Sequence, residues 1–368
     1  MNGSCGRSRI IFAILAAWLA FSLAAGPASA ATGVRALDDA AIAVRAPSKI
    51  ELIAVTRAGN RLVAVGEHGV IIYSDDNGVN WVQASVPVDL LLTAVRFATP
   101  SVGWAVGQHG VILRTDNGGA TWRLQFDGIA ANRLTLAAAR AATANHDPSP
   151  GTPLAMRRAN FFQADGPNIP FLSVMAIDPD HAFAFGAYRM VMKTDDGGKT
   201  WQDWSLQVGD PLSHNLYDVI RVGADICLAA EAGQVFCSTD GGASFQAVNS
   251  PASATLFGIL PAGNGAMLVF GVAGGCYRST DAGRNWTNIN VGTPLNLTAG
   301  TVLASGAIAL AGEDGSLYLS VDQGASFQRA PGNQPMAIYG LTQAKDGDLI
   351  AVGNLGILHI PIKNLSPS

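Results

Sequence analysis

The octapeptide TDDGGKTW (residues 194–201) sets two aspartates beside two glycines and ends on a tryptophan. Alone it is compatible with a calcium loop, a catalytic carboxylate or a tight turn. The chain, however, repeats it: SDDNGVNW (74–81), TDNGGATW (115–122), STDGGASF (238–245), STDAGRNW (279–286) and SVDQGASF (320–327). A catalytic group is not needed in so many copies, whereas a structural device is. The third positions, Asp76, Asn117, Asp196, Asp240, Asp281 and Asp322, are 41, 79, 44, 41 and 41 residues apart. A period near 41 with one long interruption points to a repeat architecture.

Each period reads as four short β-rich runs punctuated by Gly, Asn, Asp and Pro. In the second, the runs are LLTAVRFAT (91–99), VGWAVGQ (102–108), GVILRT (110–115) and TWRLQF (121–126). Short alternating runs with turn residues between them are antiparallel strands. First strands begin near Leu52, Leu91, Phe171, Leu216, Leu256, Leu297 and Ile338, which makes seven units. The expected fold is all-β: a seven-bladed β-propeller of four-stranded antiparallel blades, with a helical insertion (127–170) between blades 2 and 3. The seventh unit has three strands and no octapeptide. The stretch ALDDAAIAVRAP (36–47) is expected to supply its missing outer strand and close the ring through both chain ends.

In this frame the octapeptide falls between the third and fourth strands, at a hairpin turn. Its Ser, Asp and Asn side chains accept backbone N–H bonds, and its glycines supply positive φ. Trp81, Trp122, Trp201 and Trp286 open the outer strands, where they pack within or between blades. The reading is a turn staple, because a calcium loop needs more oxygen ligands at fixed spacing.

Composition restricts the function. About half of the 368 residues are apolar, 14% are charged, and the net charge is −4, which leaves no basic footprint for nucleic acid. Arg7 and Arg9 precede an apolar run (10–25), and ASAA (28–31) offers a small-residue cleavage site. The run is shorter than the ~20 residues of a membrane-spanning helix. Residues 1–30 are therefore expected to be a signal peptide cleaved after Ala30, and residues 31–368 one exported propeller domain in the periplasm or outside the cell. Cys227 and Cys237 flank LAAEAGQVF (228–236), a strand, tight turn and strand, and are either a cross-strand disulfide or two buried thiols. Cys276 has no evident partner. No CxxC and no Cys/His spacing suits zinc, so neither metal nor cofactor is expected.

The pattern S/T-x-D-x-G-x-S/T-W/F is the Asp-box of bacterial neuraminidases. In the longer form GQHGVILRTDNGGATW (107–122), repeated on four-stranded units, it resembles the photosystem II assembly and stability factors of cyanobacteria and chloroplasts. Those are seven-bladed propellers exported into the thylakoid lumen, and the resemblance covers residues 36–363. It implies a non-catalytic, monomeric scaffold that binds a membrane protein or an exported protein segment, a photosystem component or a membrane transporter, and assists assembly of a membrane complex. The cyanobacterial relatives commonly carry a lipoprotein cysteine at the cleavage site, which this chain does not. The long insertion is a second departure.

Antiparallel order puts the second-to-third turns and the connections between blades on one face. His68, His109, Tyr188 and Arg189 lie in those turns, and the insertion emerges beside them. NRLTLAAARAATANH (132–146) reads as a helix, and LAMRRANFFQADG (154–166) as a second one carrying Arg157, Arg158, Phe161 and Phe162. Arginine and aromatic side chains are enriched at protein interfaces, so these eight residues are the expected partner-binding set. His68 and His109 occupy matching turns, but the third equivalent is Tyr188 and no carboxylate completes a metal site. The competing function is a glycan-binding or sialidase-like glycoside hydrolase. No Arg-Ile-Pro motif supports it, the only glutamates are Glu51, Glu67, Glu231 and Glu313, and no Gly-x-Ser-x-Gly elbow or P-loop is present. No enzymatic activity is expected.

Overall fold

The first strands of the seven blades are Leu52–Ala58, Leu92–Phe97, Phe171–Ala176, Leu216–Val222, Leu256–Pro261, Leu297–Val302 and Ile338–Gln343. The computed structural model describes residues 35–250 and 252–365. The export signal expected over residues 1–30 lies outside the described residues. From Ala36 onward the chain is one compact unit. Among the described residues it holds six four-stranded antiparallel sheets and one of three strands, each sheet running in sequence order from its first strand outward. Among these residues no helix is long and apolar enough to cross a membrane.

The second strand of every blade is buried along its whole length or nearly so, as in Gly103–Gly107 and Ala182–Gly186. Both faces of this strand are covered by neighbouring blades, which is why its sequence is continuously apolar rather than alternating. The core is therefore a ring of inter-blade clusters. One joins Trp104, Val106 and Ile112 of blade 2 to Phe171, Ala184 and Met192 of blade 3. Another joins Phe183 and Phe185 of blade 3 to Leu216, Leu228 and Phe236 of blade 4.

The turn staples are saturated. The Thr194 hydroxyl donates to Asp196 Oδ1 (2.9 Å) and accepts from the Gly198 N–H (2.8 Å). Asp196 Oδ1 also accepts the Thr200 N–H (2.9 Å), and Oδ2 accepts the Thr200 hydroxyl (2.6 Å). The same circuit recurs at Asp76, Asp240, Asp281 and Asp322, and with an amide at Asn117. Hydrogen bonds to the ionised form hold Asp76, Asp196, Asp240 and Asp322 down at about 2. The following aromatic enters the junction with the preceding blade: Trp201 between blades 2 and 3, Phe245 between 3 and 4, Trp286 between 4 and 5, Phe327 between 5 and 6. Trp81 does the same between blades 7 and 1. Cys227 and Cys237 are register partners on adjacent strands of blade 4 and form a disulfide.

Ring closure differs from the expectation. Residues 36–47 do not pair with blade 7. The Ala41 N–H donates to the Val86 carbonyl (3.0 Å), and the Gln83 amide bonds both the Val44 N–H (3.0 Å) and the Ile42 carbonyl (2.7 Å). Gln83, on the outer strand of blade 1, offers this segment a donor and an acceptor together, so the segment lies along blade 1. It then crosses the start of Gly356–Ile360, the last strand of blade 7. There Gly356 leaves no room for a side chain, since a Cβ would fall 2.1 Å from the Ser48 carbonyl oxygen. Among the described residues blades 7 and 1 share no sheet, and the seam is packed by Ala344, Ile350 and Val352 against Leu52, Leu62 and Ile72. Blade 7 has no octapeptide aromatic to fill its junction with blade 6. Leu365 occupies that junction, 1% exposed, beside Met336, Ile338 and Ile360.

Candidate functional site: the insertion-bearing face

The insertion forms two helices, α1 (Gly128–Asn145) and α2 (Ala155–Asp165). Helix α1 starts four residues earlier than its alanine-rich segment suggests, because the Asp127 carboxylate caps it by accepting the Ala130 N–H (2.8 Å). Its first turn rests on blade 2. Gly110 permits that approach, since a Cβ there would meet Gly128 Cα at 2.8 Å. His109 Nδ1 bonds the Pro167 carbonyl (3.1 Å), which fixes the return strand of the insertion over the same turn. The two helices are tied by the buried Asn132, whose amide donates to the Phe162 and Gly166 carbonyls (2.9 and 2.8 Å).

Helix α2 buries Ala155, Arg158, Ala159 and Phe162: Ala155 and Ala159 pack on Ala139 and Ala142 of α1 and on Leu206, while Arg158 and Phe162 dock on blade 3. Arg158 Nη2 lies 3.4 Å from Asp203 Oδ2, with side chains 4% and 1% exposed, and Nη1 donates to the Arg189 carbonyl (2.8 Å). Burial holds the Arg158 guanidinium below its ordinary pKa, and Asp203 opposes that shift. Arg189 is fully buried as well. Its guanidinium donates to the Asp210 carbonyl (2.6 Å) and reaches the Gly151 carbonyl of the insertion at 3.4 Å. Burial and the neighbouring Arg158 bring it down to about 10. Arg189 also sits at φ 59°, where the equivalent turns of other blades carry Gly69, Gly110, Gly233 and Gly274. A left-handed non-glycine residue costs on the order of 1 kcal/mol. Here the side chain repays it by anchoring the insertion.

These positions correct the expected partner-binding set. Arg158, Phe162 and Arg189 face inward and are unavailable to a partner. Arg157 and Phe161 are exposed, and Phe161 lies edge-on to Tyr188 with ring centroids 5.0 Å apart. His68 is exposed, with Nδ1 2.9 Å from Asp89 Oδ1. His68, His109 and Tyr188 share left-handed backbone (φ 52–54°), so their matching positions reflect one turn geometry. The structure brings Phe161, Tyr188 and His109 under or onto the insertion, and leaves His68 apart on blade 1. Sequence reading missed Asp203 and Asp210, the acceptors that make the arginines structural. Their only signal was the helical spacing of Ala155, Arg158, Ala159 and Phe162, which marks one face.

Glu51 and Glu67 lie within electrostatic reach of Tyr339. Burial raises the Glu51 carboxyl, with Glu67 adding to it, and burial with both glutamates pushes the Tyr339 phenol up to about 12.

The fold matches solved structures along nearly its full length. One, described as "YCF48 bound to D1 peptide", is 17% identical, covers 87% of this chain and 98% of its own, and aligns with a TM-score of 0.63. YCF48 from Cyanidioschyzon merolae is 14% identical, with 86% and 97% covered and a TM-score of 0.62. The WD40 propeller domain of Doa1 follows at 11% identity, with 88% and 95% covered and a TM-score of 0.59. At these identities the likeness establishes the propeller. In sequence, 71 residues are 39% identical to the photosystem II assembly lipoprotein Ycf48 of Synechococcus sp. (strain CC9902). That match spans 19% of this chain and about a fifth (21%) of the relative. The family model described as photosynthesis system II assembly factor YCF48 matches residues 167–361, more than half of the chain. The match over blades 3 to 7 thus places the chain in the photosynthesis system II assembly factor YCF48 family.

Proposed function

We propose that this protein is an exported, non-catalytic propeller scaffold that binds a segment of a membrane protein on its insertion-bearing face and assists assembly of a membrane complex. Family membership carries the reading, and a propeller of the same fold is described as bound to a D1 peptide. Loops on a rigid scaffold are where binding resides, and the one long departure from the repeat period stands on this face. Phe161 and Arg157 are among its exposed aromatic and cationic groups. A nucleophilic tyrosine needs an activated phenol, whereas Tyr339 is shifted the opposite way. The octapeptide aspartates engage both oxygens in the hydrogen bonds of their own turns.

The test is calorimetric titration of the protein with a D1 peptide, repeated with residues 128–165 replaced by a short Gly/Ser linker. Binding by the full protein and its loss in the shortened one is the expected result. No binding by the full protein overturns the photosystem assignment. Equal binding by both proteins moves the surface off the insertion.

A further inference from the structure

The two insertion helices leave an open groove between them, about 470 Å³, along the outer side of α1. Ile129, Leu136 and Pro167 form its apolar lining, and Arg133 and Arg140 stand on it from α1. Ile129, Arg133, Leu136, Ala137 and Arg140 follow the 3–4 spacing of a single helix stripe. This stripe differs from the docked faces of the insertion in two respects. Ile129 is 53% exposed, in a helix whose other apolar groups are largely small alanines. The arginines are exposed and, among the described residues, make no hydrogen bond or ion pair. Arg114, Arg158 and Arg189, by contrast, are buried and bonded.

Helix α1 carries no acidic residue, although the protein as a whole is acidic. The two arginines are seven positions apart, which is two helical turns, or roughly 10 Å along the axis. Free guanidinium forks pair best with planar carboxylates, in bidentate fashion. We propose that this groove is a docking site for an acidic segment of a protein partner, with two carboxylates bracketing an apolar side chain that seats on Ile129 and Leu136. The proposal rests on the partner-binding reading above and names the chemistry of the segment that reading requires.

The probe is a fluorescently labelled decapeptide with two aspartates flanking Leu-Ala, together with its Asn-for-Asp counterpart. Anisotropy titrations use the full protein, an Arg133→Gln/Arg140→Gln double variant and an Arg284→Gln control in the octapeptide turn of blade 5, away from the insertion. All three substituted side chains are exposed, so unchanged melting curves are expected. The acidic peptide should bind the full protein and the control alike and weaken with added salt. The double variant should lose about tenfold or more in affinity, as expected for charge-assisted pairs, and the Asn peptide should be similarly weak. Equal binding of the acidic peptide to the double variant, or of the Asn peptide to the full protein, overturns the groove assignment. The D1 peptide titration separates the two readings. If it succeeds while the acidic peptide ignores Arg133 and Arg140, the groove is wrong and the face is right.

Discussion

Replacing Arg158 by alanine tests whether the insertion is held as a rigid part of the propeller. The substitution removes a guanidinium 3.4 Å from Asp203 and leaves that carboxylate 1% exposed, with the Ser205 N–H (2.8 Å) as its remaining donor. It also removes the bond to the Arg189 carbonyl and the cation over the Phe162 ring. Breaking a buried pair from one side costs about 3–5 kcal/mol, because the surviving charge stays desolvated. For some 330 ordered residues the unfolding entropy is roughly 0.7 kcal/mol per kelvin, so a global loss of that size lowers Tm by about 4–7 °C. Detachment of α2 from blade 3 sets an upper limit, since water then reaches Asp203. The expected result is a modest fall in Tm with much faster proteolysis within residues 146–170. An Arg158→Met/Asp203→Leu double variant should recover most of the loss, because it removes both charges and keeps apolar volume. The anchoring argument fails if Arg158→Ala leaves both melting and proteolysis unchanged, or if the double variant is worse than the single.

Acid should destabilise the fold through the turn staples. The carboxyls of Asp76, Asp196, Asp240 and Asp322 sit at about 2 in the fold, below the ordinary 3.8. The unfolded chain therefore takes up protons first, and the stabilisation present above about pH 4 is lost as pH falls toward 2. Thermal melts across this window should show the decline, and Asp196→Asn should make it shallower; a flat profile contradicts the assignment. Leu365→Ala should cost about 2–4 kcal/mol by opening a cavity between blades 6 and 7. Urea unfolding with an unchanged midpoint would show that Leu365 does not stand in for the missing aromatic.

Most of the fold was legible because period and turn chemistry agreed. Six of the seven first strands start at the residue expected, and the other, at Leu92, is displaced by one. The closing segment was not legible. Residues 36–47 run from a short helix (Arg35–Asp38) into a segment with no regular structure of its own, and where such a segment settles depends on a distant side chain, here the Gln83 amide. The candidate site was legible in outline only. Adjacent Arg157 and Arg158 look alike in sequence, yet helical phase exposes one and buries the other beside Asp203, which lies 45 residues further along the chain. Arg189 stood where other blades have glycine, a visible anomaly whose meaning required its acceptors.

The side-chain seam between blades 7 and 1 bears on how this chain could be recut. Among the described residues, no strand from one end is woven into the sheet of the other, so the seam is an interface of the same kind as the other inter-blade junctions. Joining residue 365 to residue 36 through a flexible bridge and opening the chain between Asn288 and Leu297, the connection of blades 5 and 6, exchanges one such interface for another. Such a permutant would keep every stapled turn and the whole insertion within a continuous stretch of chain. The ring, in this sense, has no first blade.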